Sequence, residues 1–111
     1  MQKEKFNFDF PLLEPWEEIS AHEEMISAEL KKEVRKDDPL FGKEASAIAR
    51  RKDCDDILFE IEGMPERFAV VHLTWSGKKD LHSGFPETTL YSSLDKWKKE
   101  CMLPDHEDST S

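Results

Sequence analysis

Three features of the sequence predict an α+β fold, with a three- to four-stranded, mainly antiparallel sheet packed by a long N-terminal helix and a short C-terminal helix. Apolar residues alternate along 57–62 and fill both faces of 67–75, as in buried strands. Apolar residues also recur at helical spacing along 15–36. The connection 63–66 is too short for a crossover helix, so the two strands should pair antiparallel.

The first 14 residues carry aromatic side chains with a period of two, at Phe6, Phe8 and Phe10. This period suits either a short edge strand that Pro11 ends or an arm whose rings lie across the domain. We expect the arm, because chain starts are often irregular.

The next segment has the signals of a helix. Pro15 suits a first helical position, and Glu17 and Glu18 suit the first turn, where the helix dipole favours anions. The dipeptide 38–39, Asp-Pro, ends the pattern. A break near 20–21 is an alternative, because 22 residues is long for this domain size. One apolar stripe joins Ile19, Ile26, Leu30 and Val34.

The longest β-prone run is 67–77, which ends with the turn-forming pair Ser76-Gly77. Because its two faces are both largely apolar, we expect it inside the sheet and covered on both sides. Residues 45–51 suit a weak strand or a short helix, and 88–91 a short strand. Residues 76–87, which lead into the 88–91 strand, should form a loop.

A second helix should follow Ser92, an N-cap residue with Asp95 three positions later. Pro104 should end the ordered chain, so we expect one domain over 1–104, with an arm at 1–14 and a flexible acidic tail at 105–111. The expected core consists of Ile19, Ile26, Leu30, Ile57, Phe59, Ile61, Val71, Leu73, Leu94 and Trp97.

The composition is strongly acidic, with 16 Lys and Arg against 25 Asp and Glu and a formal charge of −9. Nucleic-acid binders normally carry a basic field, so this balance argues against nucleic acid and against an anionic membrane surface. An acidic protein suits a basic protein partner, whose approach its field would accelerate. Solubility alone is the alternative explanation of the charge.

The chain start lacks a signal peptide, and no apolar run approaches the roughly 20 residues that span a bilayer. We therefore expect a cytoplasmic protein with reduced thiols, although a Cys54–Cys101 disulfide stays open. The four histidines and two cysteines lack metal-ligand spacing, and we expect neither a metal nor another cofactor.

No residue is expected to be catalytic, and His72 is the first candidate, ahead of Cys101, which lies on the apolar stripe of its helix and suits inert packing. His72 lies in an apolar strand and would face Glu60 or Glu62 across a hairpin, where a carboxylate would orient the imidazole. A half-buried histidine with a structural hydrogen bond is the favoured alternative. Trp75 and Phe85 would contribute apolar binding surface beside the 76–87 loop, although core packing is the default for Trp75.

These features favour a non-enzymatic protein-binding module, with an immunity-type inhibitor of a basic toxin or nuclease as its most concrete form. The residues expected to bind are Asp53, Asp55, Asp56, Glu60, Glu62, Trp75 and Phe85. The alternative is a small hydrolase or ligand-binding domain with a pocket near His72 and Trp75. A third hypothesis is a subunit of a larger assembly. Oligomeric state does not follow from the sequence.

Overall fold

The computed structural model describes residues 8, 10–19, 23–34, 40–54, 56–73 and 87–110. Within these residues the chain forms a five-stranded antiparallel sheet whose strands follow the order of the sequence. The strands are β1 (Trp16–Glu18), β2 (Ala45–Arg51), β3 (Asp56–Ile61), β4 (Phe68–His72) and β5 (Glu87–Tyr91). Helix α1 (Glu23–Glu33) connects β1 to β2.

A helical region follows β5 directly. It consists of α2 (Leu94–Trp97), a π-helical segment (Lys98–Met102) and α3 (Leu103–Thr110), which we call together the C-terminal helix. In the π-helical segment the Leu103 N–H donates to the Lys98 carbonyl, five residues back. The segment ends two residues before Pro104, which has no N–H to donate and would crowd a regular α-helical turn. The wider turn therefore lies where a proline most disturbs α-helical hydrogen bonding.

The two faces of the sheet have separate hydrophobic cores. Helix α1 covers one face, and its core holds Ile26, Leu30, Val34, Leu40, Ala47, Ile57, Phe59, Ile61, Ala69, Val71 and Leu73. The C-terminal helix covers the other face, and its core holds Trp16, Ile48, Ala49, Leu58, Phe68, Tyr91, Trp97 and Met102. Strands β3 and β4 send alternate residues to each side, so both of their faces are buried.

A one-residue irregularity in β2 reverses the side to which its residues point. Ala47 pairs with Phe59, but the next recorded pair is Ala49 with Leu58, so β2 has one extra residue at this step. After such a bulge, each following side chain points to the opposite face from the one that regular alternation would give. Ala47 therefore belongs to the core under α1, whereas Ile48 and Ala49 belong to the core under the C-terminal helix.

Two aromatic residues of the predicted N-terminal arm, Phe8 and Phe10, pack on the C-terminal helix. The Phe10 ring lies 6.3 Å from the Trp97 ring and roughly parallel to it, and the Phe8 ring lies 6.4 Å from it. Trp16 meets Trp97 edge to face at 5.2 Å. Among the described residues, Trp97 Nε1 is a buried side-chain donor without an acceptor. Phe6 lies outside the described residues.

The predicted α+β class with an antiparallel sheet is confirmed, but the strand number and the long N-terminal helix need correction. The sheet has five strands, because residues 16–18 pair with β2 instead of starting a helix. The helix begins at Glu23, so Glu23 and Glu24 provide the acidic first turn that we had assigned to Glu17 and Glu18. The 20–21 dipeptide lies outside the described residues.

Two predictions near the chain end were also wrong in detail. The N-cap of α2 is Ser93, whose hydroxyl accepts from the Lys96 N–H at 3.1 Å, and not Ser92. Order does not end at Pro104, because the residues from Leu103 to Thr110 are helical. The Asp105 side chain within α3 makes contacts with the sheet that a solvated tail would not make.

The expected core was mostly correct. Eight of the ten named residues are buried, whereas Ile19 and Leu94 are partly buried and pack against the two cores. The largest buried side chain that we missed is Trp16, which is 2% exposed. It was missed because the helix pattern placed it on a helical first turn, whereas it lies on β1 facing the C-terminal helix.

Candidate functional site

A network of charged side chains crosses the sheet face that the C-terminal helix covers, and its centre is Arg51 at the end of β2. Nε and Nη2 of Arg51 donate to the two carboxylate oxygens of Asp53 at 2.9 and 2.8 Å. Nη1 lies 3.6 Å from Oδ1 of Asp105 and 4.0 Å from Oδ2 of Asp56. One guanidinium therefore meets three carboxylates, which favours the charged form of the arginine.

The pKa values of this region follow from these contacts. Burial works against the Arg51 cation, but the hydrogen bond with Asp53 and the charge of Asp105 outweigh it, so the pKa of Arg51 is raised. The same hydrogen bond lowers the pKa of Asp53. Burial raises the pKa of Cys54. The arginine–carboxylate contacts are thus maintained at neutral pH.

The second part of the network is a His72–Asp56 pair. The two residues are directly opposite each other on β4 and β3, and Nδ1 of His72 lies 2.7 Å from Oδ1 of Asp56. A carboxylate at this distance fixes the orientation of the imidazole ring. The prediction of a carboxylate beside His72 was correct in kind, but the residue is Asp56 and neither Glu60 nor Glu62.

Asp105 is the third part of the network and connects α3 to the sheet. Trp16 Nε1 donates to Oδ2 of Asp105 at 2.9 Å, and the Cys101 thiol donates to the same oxygen at 3.5 Å. Burial, followed by the negative charge of Asp105, raises the pKa of Cys101 to about 12. The pKa of Tyr91 is likewise raised, first by burial and then by Cys101. Cys101 is therefore a protonated, unreactive thiol at neutral pH.

Chemically, this network is suited to holding the C-terminal helix on the sheet. Arg51 is engaged by carboxylates of its own chain, and the thiol of Cys101 is protonated. The exception is His72, whose side chain is 41% exposed and whose second ring nitrogen is not part of the bond to Asp56. A carboxylate-oriented imidazole of this kind is able to transfer a proton.

The opposite end of β3 has a different character. Residues of the β3–β4 hairpin surround a surface groove of about 400 Å³, lined by Glu60, Ile61, Glu62, Gly63, Met64 and Arg67. Nη2 of Arg67 donates to Oε2 of Glu60 at 3.3 Å, and the arginine side chain is 65% exposed. Gly63 has φ of 82°, a left-handed conformation that glycine adopts readily. The groove thus combines two carboxylates with apolar side chains.

The four predicted binding residues that the structure describes lie at two different ends of β3. Asp53 and Asp56 lie at the Arg51 end of β3, whereas Glu60 and Glu62 lie at its hairpin end. From Asp56 to Glu62 the strand advances about 20 Å, at roughly 3.3 Å per residue. Asp55, Trp75 and Phe85 lie outside the described residues.

Sequence reasoning missed three polar residues of the network and two buried acids. Arg51, Asp105 and Trp16 are distant in sequence, and only the strand register and the docking of α3 bring them together. Glu29 and Glu33 are 7% and 1% exposed on α1, and both make interactions. Their spacing relative to Ile26 and Leu30 placed them beside the apolar stripe, which was the available signal.

Across the described parts of the chain, no group of three or more His, Cys, Asp or Glu side chains is arranged to hold a metal ion. The helices in these parts are also too short or too polar to cross a membrane. In comparisons with known proteins, no family model, no curated protein and no solved structure matches this chain.

Proposed function

We propose that this chain is a small acidic protein-binding module that binds a basic protein through the groove of its β3–β4 hairpin. An immunity-type inhibitor of a basic toxin or nuclease is its most concrete form. The observation that carries the proposal is the groove itself, in which Glu60 and Glu62 lie beside Ile61 and Met64. This lining suits a lysine or arginine side chain, whose stem is apolar and whose head is cationic.

Arg67 supports the same proposal from within the chain. Its guanidinium donates to Glu60 across the groove, so the carboxylate is already positioned to accept this kind of donor. Because Arg67 is mostly exposed, this pair contributes little to stability and a partner's cation can replace it. Asp53 and Asp56 fit the role less well, because Arg51 and His72 of the same chain engage them.

The net negative charge of the chain should increase the rate at which it associates with a basic partner. A chain with a formal charge of −9 attracts a basic partner over a distance of about a Debye length, roughly 8 Å at physiological salt. Charges around an interface mainly change the association rate and its salt dependence.

The proposal is tested by capturing partners from a lysate of the source organism at low and high salt, and then measuring the association rate of the captured basic protein. We expect the double variant E60Q/E62Q to associate several-fold more slowly and with a weaker salt dependence. The matched control is E24Q/E100Q, which removes two exposed carboxylates from α1 and the C-terminal helix. Equal rates for the two double variants would contradict binding at the hairpin.

The second candidate function is a small hydrolase or ligand-binding domain, and the observation that favours it is the 2.7 Å contact between His72 and Asp56. In that case the active group is the exposed imidazole, oriented by the carboxylate. The variant H72Q separates the two candidates in the same assay. A protein-binding module keeps its association rate in H72Q, whereas a His72 site loses ligand-induced thermal stabilisation in a small-molecule screen.

A further inference from the structure

A second groove lies between α1 and residues 40–45, which lead into β2. Its volume is about 310 Å³, which is at the lower end for small-molecule sites. The residues that line it are Ser27, Leu30, Lys31, Val34, Leu40, Phe41, Gly42, Lys43, Glu44 and Ala45.

The groove has an apolar base. Leu30, Val34 and Leu40 are 3–4% exposed and belong to the core under α1, so they give the groove a packed wall. Phe41 is 44% exposed and is one of the few large apolar side chains on the described surface. A tight turn positions it, since the Lys43 N–H donates to the Leu40 carbonyl at 3.1 Å and Gly42 has φ of 76°.

The described residues that line this groove have a positive net charge, opposite in sign to the charge of the protein as a whole. Two of its lining residues are lysines and one is a glutamate, in a chain whose formal charge is −9. Nζ of Lys31 lies 4.0 Å from Oε2 of Glu44, but both side chains are more than 60% exposed, so water screens this pair. Nζ of Lys43 lies near Gly63, a residue that lines the neighbouring hairpin groove.

From this arrangement we propose that the groove binds a small apolar carboxylate. The apolar body of the ligand packs against Leu30, Val34 and Phe41, and its carboxylate is held by the ammonium groups of Lys31 and Lys43. Charge complementarity selects this occupant. The two lysines repel a cationic ligand. A neutral ligand gains no more from them than it gains from water, whereas a carboxylate gains an attraction between opposite charges. The two grooves share no lining residue, but they are neighbours, because Lys43 of this groove lies near Gly63 of the hairpin groove.

The test uses phenylacetate and its neutral isostere phenylacetamide as probes of the full-length protein, with binding followed by shifts of backbone amide NMR signals. We expect shifts at Leu30, Phe41 and Ala45 with both probes, and an affinity for phenylacetate about fivefold higher at low salt, roughly twofold for each lysine. Lys43→Gln and Lys31→Gln should each reduce this preference to about twofold.

Lys96→Gln is the matched control, because Lys96 is an exposed lysine on the C-terminal helix, and it should leave the preference unchanged. Ser27→Leu, which fills the groove from α1, should abolish binding of both probes while the thermal transition stays cooperative. Equal affinity for acid and amide would overturn the proposal, as would shifts elsewhere in the protein. Because Lys31→Gln and Ser27→Leu change no residue that lines the hairpin groove, their failure leaves the hairpin proposal standing.

Discussion

Cys101 shows how the neighbours of a single residue determine its chemistry. Its thiol lies between the core and the Asp105 carboxylate, and both burial and this negative charge favour the protonated form. A thiol with a pKa of about 12 is almost entirely protonated at pH 8, and the thiolate is the reactive species.

We therefore predict that Cys101 resists alkylation in the folded protein. In the variant C54S, iodoacetamide at pH 8 should modify Cys101 at least 100-fold more slowly than a free cysteine, and denaturant should restore the ordinary rate. Mass spectrometry of timed samples measures both rates. The variant C101S reports on Cys54 in the same way. Fast modification of Cys101 in folded C54S would contradict the burial of the thiol beside Asp105.

The residue scale also shows what the sequence could and could not predict about the site. The type of contact at His72 was predictable, because a histidine in an apolar strand needs a polar partner. The identity of the partner depended on the β3–β4 register, in which His72 pairs with Asp56. A register shift of several residues would be needed to bring Glu60 opposite it, and alternation alone does not determine that shift.

At the level of elements, the C-terminal helix is the feature that differs most from expectation. A proline usually ends a helix, and Pro104 suggested that the chain continued as a tail. The π-helical segment before it lets the helix continue, and α3 then brings Asp105 to Trp16 and Arg51. A rule based on local sequence could not predict the docking of α3, because the Trp16–Asp105 contact joins residues 89 positions apart.

We predict that a variant ending at Leu103 is destabilised by about 2 kcal/mol, because it loses the charge-assisted hydrogen bond from Trp16 and the contact with Arg51. Urea unfolding followed by tryptophan fluorescence measures this change. A variant lacking only 109–111 is the control and should retain wild-type stability. If both variants unfold at the same urea concentration, α3 contributes nothing to the fold.

The early strand β1 shows the same limit at the other end of the chain. Pro15, Glu17 and Glu18 satisfy the rules for a helix start, yet these residues lie beside β2. A three-residue edge strand has little sequence signal of its own. Its place is determined by Trp16, which fills the core under the C-terminal helix, and by contacts such as Glu17 with Arg50 at 3.8 Å.

For the whole molecule, the net charge sets how stability responds to salt. A formal charge of −9 on a 111-residue chain repels itself most strongly in the compact state. Raising the ionic strength from 0.01 to 1 M shortens the Debye length from about 30 to about 3 Å and screens this repulsion.

We predict that the midpoint of thermal unfolding rises by a few degrees over this range of NaCl at pH 7, as measured by circular dichroism. The protein is its own control, because the net charge approaches zero near the pI of about 4.9 and the effect of salt should shrink there. A midpoint that falls with salt at pH 7 would mean that attractive pairs such as Arg51 with Asp53 outweigh the repulsion.

The extra residue in β2 has a consequence for how this chain tolerates length changes. Because of it, residues 45 and 47 point toward α1, whereas Arg51 points toward Asp56 and the C-terminal helix. Deleting Ile48 would restore regular pairing without moving the alanines or the arginine to the other side, because the pairs Ala49 with Leu58 and Arg50 with Ile57 would then directly follow Ala47 with Phe59. A deletion at this position should therefore keep Arg51 beside its carboxylates, and its main loss is the Ile48 side chain from the core under the C-terminal helix.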